Sequence, residues 1–560
     1  MAHKHRSKHL KSVNKKRRLK VLYRRSVWAS FLPLMPYPEI PVFEPLRVTS
    51  RRSPDDLVII YKEKEIAYRE LDDCSDRLAT ALNDLGIGRG SKVAIFMKNL
   101  PEYIISFYGI LKAGATVTTI NPRYTEREVE YHVNDSEAEA MITHESQLPI
   151  VKRAKNRIPH LKHIIVEGEG EYSGAHRLKD LMNQYLPEPP RVKLNPKEDL
   201  AVILYTAGTT GMPKGVMLTH YNLVTNAVQN AVMGYGGPDS RVLVQLPLYH
   251  AFGMVDCAVT QAYTGSSMVL VENPADLREC VELIEKHKVR LWPTIPPVLI
   301  GLVGNPGLLF KYDLSSLRGI VTGAAPIAPV VVEKFKELTG GRITVNHGYG
   351  LSEACSTTHA NPSGRIKIES IGRPAPDTEQ KIVDLETGTK ELSPGEVGEL
   401  VIKGPQVMKG YWKRQKETVE TLRNGWLFTG DIAQMDEEGY VYIVDRKKEI
   451  IKFRGFTIAP FELEALLMEH LAVADCAVIG KPDQESGEIP KAYVKLKTGV
   501  KATEGELIQF VKERITSYKR IREVEFTNII PRSAAGKILR RELKEKERAR
   551  VRAKDKQREV

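Results

Sequence analysis

The sequence predicts a mixed α/β protein. It should have a large N-terminal domain of doubly wound sheets with a β-rich subdomain, then a small α+β C-terminal domain. Three observations carry this. Strand-like and helix-like segments alternate from about residue 54 to 340, which argues a parallel sheet with helices on both faces. From about Ser370 the texture becomes short strands between Gly/Pro turns. After Asp445 it changes again, to mixed helix and strand. At 560 residues the chain is also too long for one simple domain.

Taken in order, residues 92–97 are a short apolar strand, and residues 99–112 a helix with Pro101 in its first turn, where proline is tolerated. Residues 115–120 read as strand and 126–133 as helix. The apolar run 200–204 is a buried strand, and 215–219 a second one close behind it. Strands follow at 242–246, 268–271 and 318–322, with a helix at 275–288. The β-rich part offers strands at 379–384, 398–403 and 439–444. Thr503 and Glu506 form a capping box that opens an amphipathic helix through Ile515. The domain boundary falls at residues 445–448. The chain thus divides into a basic, flexible tail (1–25), an N-terminal domain (26–445) and a C-terminal domain (446–560) ending in a second basic tail.

Composition bounds the chemistry. Apolar content of 42% and charged content of 27% are ordinary for a soluble globular protein. The five cysteines are scattered, and no C-x-x-C occurs, so neither a disulfide framework nor a zinc site is indicated. A reducing cytosol is the expected compartment. The net charge of +13 lives in the ends: residues 1–25 hold eleven Lys/Arg and no acid, and residues 537–560 hold eleven against five acids. Block charge of this kind marks solvated, partly disordered ends. Beyond Arg25, the residues Trp28, Phe31 and Leu34 either pack on the domain surface or rest on an anionic membrane surface. That run is too short and proline-rich to span a bilayer. A nucleic-acid binder would depend on residues 1–25, and none of the motifs below requires such a partner.

The chemical centre is residues 205–214, Tyr-Thr-Ala-Gly-Thr-Thr-Gly-Met-Pro-Lys. Its glycines, Gly208 and Gly211, let backbone approach a ligand, and successive N–H groups can cradle an anion. Thr206, Thr209 and Thr210 add hydroxyl donors, and Lys214 adds charge. The stretch reads either as a polyphosphate grip or as a Thr/Gly-rich hairpin turn. It is not G-x-x-x-x-G-K-[ST], which occurs nowhere in the chain.

Four further stretches lie downstream. Gly348-Tyr349-Gly350-Leu351-Ser352-Glu353 combines close backbone approach, a flat aromatic face and a hard oxygen ligand. Gly425-Trp426-Leu427-Phe428-Thr429-Gly430-Asp431 ends in a carboxylate with two acceptor oxygens. Residues 445–456 run from Asp445-Arg446 through Lys448 and Lys452 to Arg454-Gly455-Phe456. Residues 531–541 set Lys537 among small residues, which suits a mobile loop that enters a cleft.

Together, in this order, these strings resemble the adenylate-forming enzymes: acyl-CoA synthetases, coumarate-type ligases, luciferases and adenylation domains. The resemblance covers roughly residues 50–545. It implies that residues 206–211 (Thr206, Ala207, Gly208, Thr209, Thr210, Gly211) grip the β- and γ-phosphates of ATP with help from Lys214. Val321-Thr-Gly-Ala-Ala-Pro326, with Gly323, Ala324 and Ala325, resembles the segment along adenine. His347, Gly348, Tyr349, Gly350, Ser352 and Ile443 complete the implied nucleotide set, the role of His347 being open. Asp431 and Arg446 are implied to hold the ribose, and Glu353 with Thr209 to hold Mg²⁺.

By the same resemblance Lys537 is the adenylation lysine, and Lys452 serves the second half-reaction. Lys448 is implied to lie at the hinge of a mobile C-terminal domain and, with Arg454 and Gly455, to face CoA. Pro247-Leu248-Tyr249-His250-Ala251-Phe252-Gly253 resembles the segment beside the acyl group. His250, Gly253, Met254, Gly323, Gly348 and Cys355 are expected to line that pocket, and small residues there leave room for an alkyl chain.

The implied reaction joins a carboxylic acid to CoA through acyl-AMP, using ATP and Mg²⁺. The motifs look most like medium- to long-chain fatty acyl-CoA synthetases. No tryptophan gate follows His250, which argues against very long chains. A stand-alone enzyme loading a carrier protein and an aryl-acid CoA ligase are the alternatives. The expected state is a cytoplasmic monomer or homodimer, with peripheral membrane contact through the basic N-terminus left open.

Overall fold

The computed structural model describes residues 36–206, 212–446, 449–454, 456–483, 485–533 and 536–558. The basic N-terminal stretch and Trp28, Phe31 and Leu34 lie outside these residues.

Two large sheets form the body, one of nine strands and one of eight. In the eight-stranded sheet the strands Lys92–Phe96, Thr116–Thr119, Ala140–His144 and Leu200–Thr206 run parallel, as the alternation predicts. The nine-stranded sheet sets Arg241–Val244, Ser267–Leu270, Leu291–Thr294, Gly319–Thr322 and Thr344–Gly350 parallel to one another. Helices Pro101–Lys112 and Leu277–His287 sit where their apolar spacing places them. One continuous core takes side chains from both sheets: Val93, Ile95 and Leu204 from one, Ile59, Val244 and Leu270 from the other. Fully burying such side chains contributes about 1.5–3 kcal/mol each. The buried Trp292 keeps its polar handle satisfied, its indole N–H donating to Gln245 Oε1 at 2.9 Å.

The β-rich part is a third, antiparallel sheet that includes Glu379–Val383, Gly398–Lys403, Trp426–Met435 and Val441–Arg446. The chain leaves it at Arg446 and enters a fourth sheet at Ile451, with its own core around Leu463, Val478, Ala492 and Leu507. This is the smaller C-terminal domain. Its helix Glu504–Lys512 carries the expected capping box, with both Thr503 and Glu506 engaged, and stops three residues before Ile515.

Two features depart from the sequence reading. Residues 252–259 form a π-helix within an apolar stretch that gave no sign of it. The basic C-terminal stretch, expected as a solvated end, is the helix Arg540–Arg558. Its Glu547 is buried and accepts from Lys491 Nζ (2.9 Å) and Tyr493 Oη (2.6 Å) on the domain's sheet. A charge block looks the same whether it is solvated or docked; the docking is a tertiary contact. No helix among the described residues is long and apolar enough to cross a membrane.

Candidate active site

The motifs gather where several parallel strands end. Gly319–Thr322 delivers Gly323, Ala324 and Ala325; Thr344–Gly350 carries His347 to Gly350 and leads to Ser352 and Glu353; Arg241–Val244 leads towards His250. Ligands of open α/β sheets bind at such carboxyl ends. Strands Leu200–Thr206 and Lys214–Thr219 pair antiparallel, Thr206 opposite Lys214. The expected phosphate residues Ala207, Gly208, Thr209, Thr210 and Gly211 lie between them, outside the described residues, as do Lys448 and Gly455.

A carboxylate centre is built by strand pairing. Asp431 and Arg446 are Cα partners on adjacent antiparallel strands, so their side chains share one face. Arg446 Nε reaches Asp431 Oδ1 at 3.1 Å, and the Tyr349 hydroxyl donates to Oδ2 at 2.5 Å. Asp431 is 3% exposed, so its charge is held by partners rather than by water. Tyr349 packs edge-on against His359, ring centroids 5.6 Å apart, which fixes its plane. Ile443 lies on the strand paired to that of Asp431.

Beside it, Glu353 Oε1 accepts the Tyr411 hydroxyl at 2.8 Å. Lys214 Nζ lies over the Tyr411 ring, 5.3 Å from its centroid, and 3.9 Å from Glu417. Tyr411, on the short strand Gly410–Tyr411 paired with Lys214–Thr219, thus couples Lys214 to Glu353, a link the sequence did not reveal, because a lone tyrosine carries no signature. Among the described residues no cluster of three or more His, Cys, Asp or Glu is arranged to hold a metal. A single carboxylate fits Mg²⁺ that brings substrate phosphates as its other ligands.

Lys537 comes from the C-terminal domain. Its loop is closed by the Arg532–Ile538 bridge and by Ser533 N–H donating to Lys537 O at 2.8 Å. Gly536 has φ +78°, and a Cβ there would stand 2.7 Å from Ile295 Cδ1 of the N-terminal domain. Glycine is therefore required both for the turn and for the close approach. Burial, then the Arg446 cation, push the Lys537 ammonium down to about 8, against the pull of Asp431 and Glu449. His250 is pushed down to about 4 by burial, then by the Lys537 cation. Lys537, Arg446, Asp431 and His250 therefore share one field. The Phe252 N–H donates to His250 Nδ1 at 3.3 Å, so the neutral ring carries its proton on Nε2.

Residues 46–412 match the AMP-binding enzyme family, and residues 462–537 its AMP-binding enzyme C-terminal domain. The chain belongs to the AMP-binding enzyme family. A long-chain-fatty-acid–CoA ligase of Bacillus subtilis (strain 168) is 38% identical over 540 residues, 92% of this chain and 96% of that one. An anthranilate CoA ligase solved with anthranoyl-AMP superposes with a TM-score of 0.85 at 27% identity, over 93% of this chain and 99% of its own. The o-succinylbenzoate coenzyme A synthetase of Bacillus subtilis, solved with ATP and magnesium ion, gives a TM-score of 0.77 at 28% identity, over 89% and 99%.

In this AMP-binding enzyme the remaining expected residues fall into two groups. Gly323 and Gly348 face each other, since a Cβ on Gly323 would stand 3.3 Å from Gly348 O. His347 lies opposite Thr322 on the paired strand; burial pushes it down to about 4, and its Nδ1 has no hydrogen-bond partner among the described residues. Met254 and Cys355 are buried, Cys355 at φ +66°. Gly253 has a packing reason to be glycine: a Cβ there would stand 2.2 Å from Pro247 O.

Lys452 and Arg454 form the second group, on the C-terminal domain. Lys452 lies on the strand Ile451–Phe453 and its backbone N–H donates to Glu488. Arg454 takes Ser486 (3.2 Å) and Glu485 (3.9 Å) from its own domain. The sequence reading also missed Asp256, a fully buried carboxylate in the π-helix. It accepts from Asn230 (2.7 Å) and Thr357 (2.9 Å), and burial pushes it up to about 7.

Proposed function

We propose that this chain activates a medium- to long-chain fatty acid and transfers it to CoA, with Lys537 acting in the first step only. At the coarser level it is an ATP-dependent acid–CoA ligase that works through an acyl-adenylate and releases pyrophosphate. The observation that carries the mechanism is the meeting of Lys537, from one domain, with Asp431, Arg446 and His250 from the other.

In the first step a carboxylate oxygen attacks the α-phosphorus of ATP, a C–O–P linkage forms, and pyrophosphate leaves. Asp431 accepts the ribose hydroxyls while Arg446 and Tyr349 fix its two oxygens. His250 donates from Nε2 to the acid, which sets its oxygen in line. The Lys537 ammonium lies against the phosphorus oxygens as negative charge builds, a preorganised contribution of about 3 kcal/mol. Glu353 would hold a Mg²⁺ arriving with the nucleotide, and that ion, when bound, neutralises phosphate charge. The residues 206–211, with Lys214, grip the phosphates that leave.

In the second step the CoA thiol attacks the acyl carbon and AMP departs. We assign this step to a second arrangement, in which the C-terminal domain turns about residues 445–448 and brings Lys452, Arg454 and Gly455 to the site. The fatty-acid assignment is supported by the 38% identity to the Bacillus subtilis ligase. We also place the protein in the cytoplasm, as a monomer or homodimer, with the basic N-terminus able to rest on an anionic membrane.

A panel of fatty, aryl and short dicarboxylic acids with ATP and CoA, read by mass spectrometry, tests the assignment. C8–C18 acyl-CoA is the expected product. Aryl-CoA alone would move the chain to the aryl-acid ligases. Turnover only with a carrier protein would replace CoA as acceptor.

A further inference from the structure

We infer that Asp445, together with Arg540, latches the C-terminal domain in the arrangement that presents Lys537, and so controls the first half-reaction. This rests on the two-arrangement cycle proposed above.

Asp445 precedes Arg446 on the strand Val441–Arg446, and successive side chains of a strand point to opposite faces. Arg446 turns to Asp431; Asp445 turns to the C-terminal domain. There it is 5% exposed, an unusual place for a carboxylate, and among the described residues no cation is hydrogen-bonded to it. Its oxygens accept two backbone N–H groups, from Arg446 at 2.6 Å and from Phe461 at 3.1 Å.

Phe461 is in the first turn of the helix Pro460–Met468 of the C-terminal domain. The N-cap of that helix is Ala459, which has no side-chain oxygen to cap it. Asp445, from the other domain's sheet, supplies the missing cap. An anion at a helix N-terminus satisfies an orphan donor and opposes the helix dipole.

Arg540 contributes to the latch through its charge, its hydrogen bonds going to its own domain. It stands three residues after Lys537 and opens the C-terminal helix. Its Nη2 donates to both Glu464 oxygens (2.7 and 2.6 Å) and its Nε to Val478 O (3.2 Å). Among the described residues, the groups facing Asp445 are the cation of Arg540 and the acid of Glu464, with the two backbone donors. Burial raises the Asp445 carboxyl to about 6, Arg540 and the N–H groups hold it down, and it is ionised at neutral pH. Arg540 also feels Glu449, in the segment joining the domains. The hinge strand, the first helix of the moving domain and the base of the Lys537 loop therefore meet at Asp445 and Arg540. Turning the domain away withdraws the Phe461 N–H from Asp445 and removes the pull of the Arg540 charge. Both are positioning residues; neither touches the reacting atoms.

The test measures the two half-reactions separately on the full chain. Asp445→Ala is expected to slow pyrophosphate release from ATP and fatty acid about tenfold, the scale of a lost helix cap. Thioester formation from supplied acyl-adenylate and CoA should hold or rise. Asp445→Asn, which keeps an acceptor for Phe461 but no charge, should fall between wild type and Asp445→Ala in the first step, and it serves if the alanine variant folds poorly. Equal loss in both steps, loss in thioester formation alone, or no change in either overturns the latch. Wild-type protein that forms no acyl-adenylate would instead sink the functional reading.

Discussion

Asp431 and Arg446 are held by two adjacent strands of one sheet, their Cα atoms paired and their side chains 3.1 Å apart. Lys537 reaches the same place on a turn of another domain, closed by one bridge and three hydrogen bonds with Ser533. The first arrangement is tied into one sheet; the second belongs to the domain that the proposed cycle turns. That contrast matches the work proposed for each. AMP stays bound through both steps, so its ribose holder belongs on a fixed sheet. A cation needed only while phosphorus is attacked belongs on a part that can leave.

The largest effect should come from the moving side. Lys537→Ala is expected to slow acyl-adenylate formation 10²- to 10³-fold, with thioester formation from supplied acyl-adenylate retained. Equal loss of both steps would erase the contrast.

Next comes pH. Lys537 sits at about 8 instead of 10.5, and only the cation can neutralise phosphate charge. Adenylation should therefore fall as pH rises through about 8, close to tenfold per unit above it. Lys537→Arg, which stays charged, should lose that limb whatever its absolute rate. The linkage has a definite sign. Between about 8 and 10.5 the unfolded chain binds more protons at this lysine than the folded one, so its contribution to stability improves as pH rises there. Burying the cation at neutral pH is thus a cost to the fold, borne for activity.

The smallest effect belongs to the fixed side. Tyr349→Phe removes one hydrogen bond to Asp431 but leaves Arg446 in place. About 1 kcal/mol, or fivefold, should appear in KM for ATP with kcat little changed. A larger loss in kcat would mean that the fixed side, too, acts in the chemistry.

Much of this was legible in the chain. The parallel strands and their helices followed from apolar runs and period, and the Thr503 capping box from two residues. Hydroxyls, glycines and a lysine between residues 205 and 214 suggested phosphate, with a hairpin turn as the alternative, and residues 207–211 lie outside the described residues. Gly253 was legible as small, but the packing that demands it was not: Pro247 O would stand 2.2 Å from a Cβ there. Tyr411 and Asp256 were not legible, because their significance lies only in what they touch.

The sequence by itself determined the order of the motifs, the family they resemble and the chemistry each can perform, because those depend on residue types within a few positions. Only the tertiary structure decided that Lys537 stands beside Asp431 more than a hundred residues earlier, that the basic C-terminus is a docked helix, and that Asp445 caps a helix of the other domain. Those facts depend on strand register and domain docking, which are set by contacts between distant residues and leave no local mark.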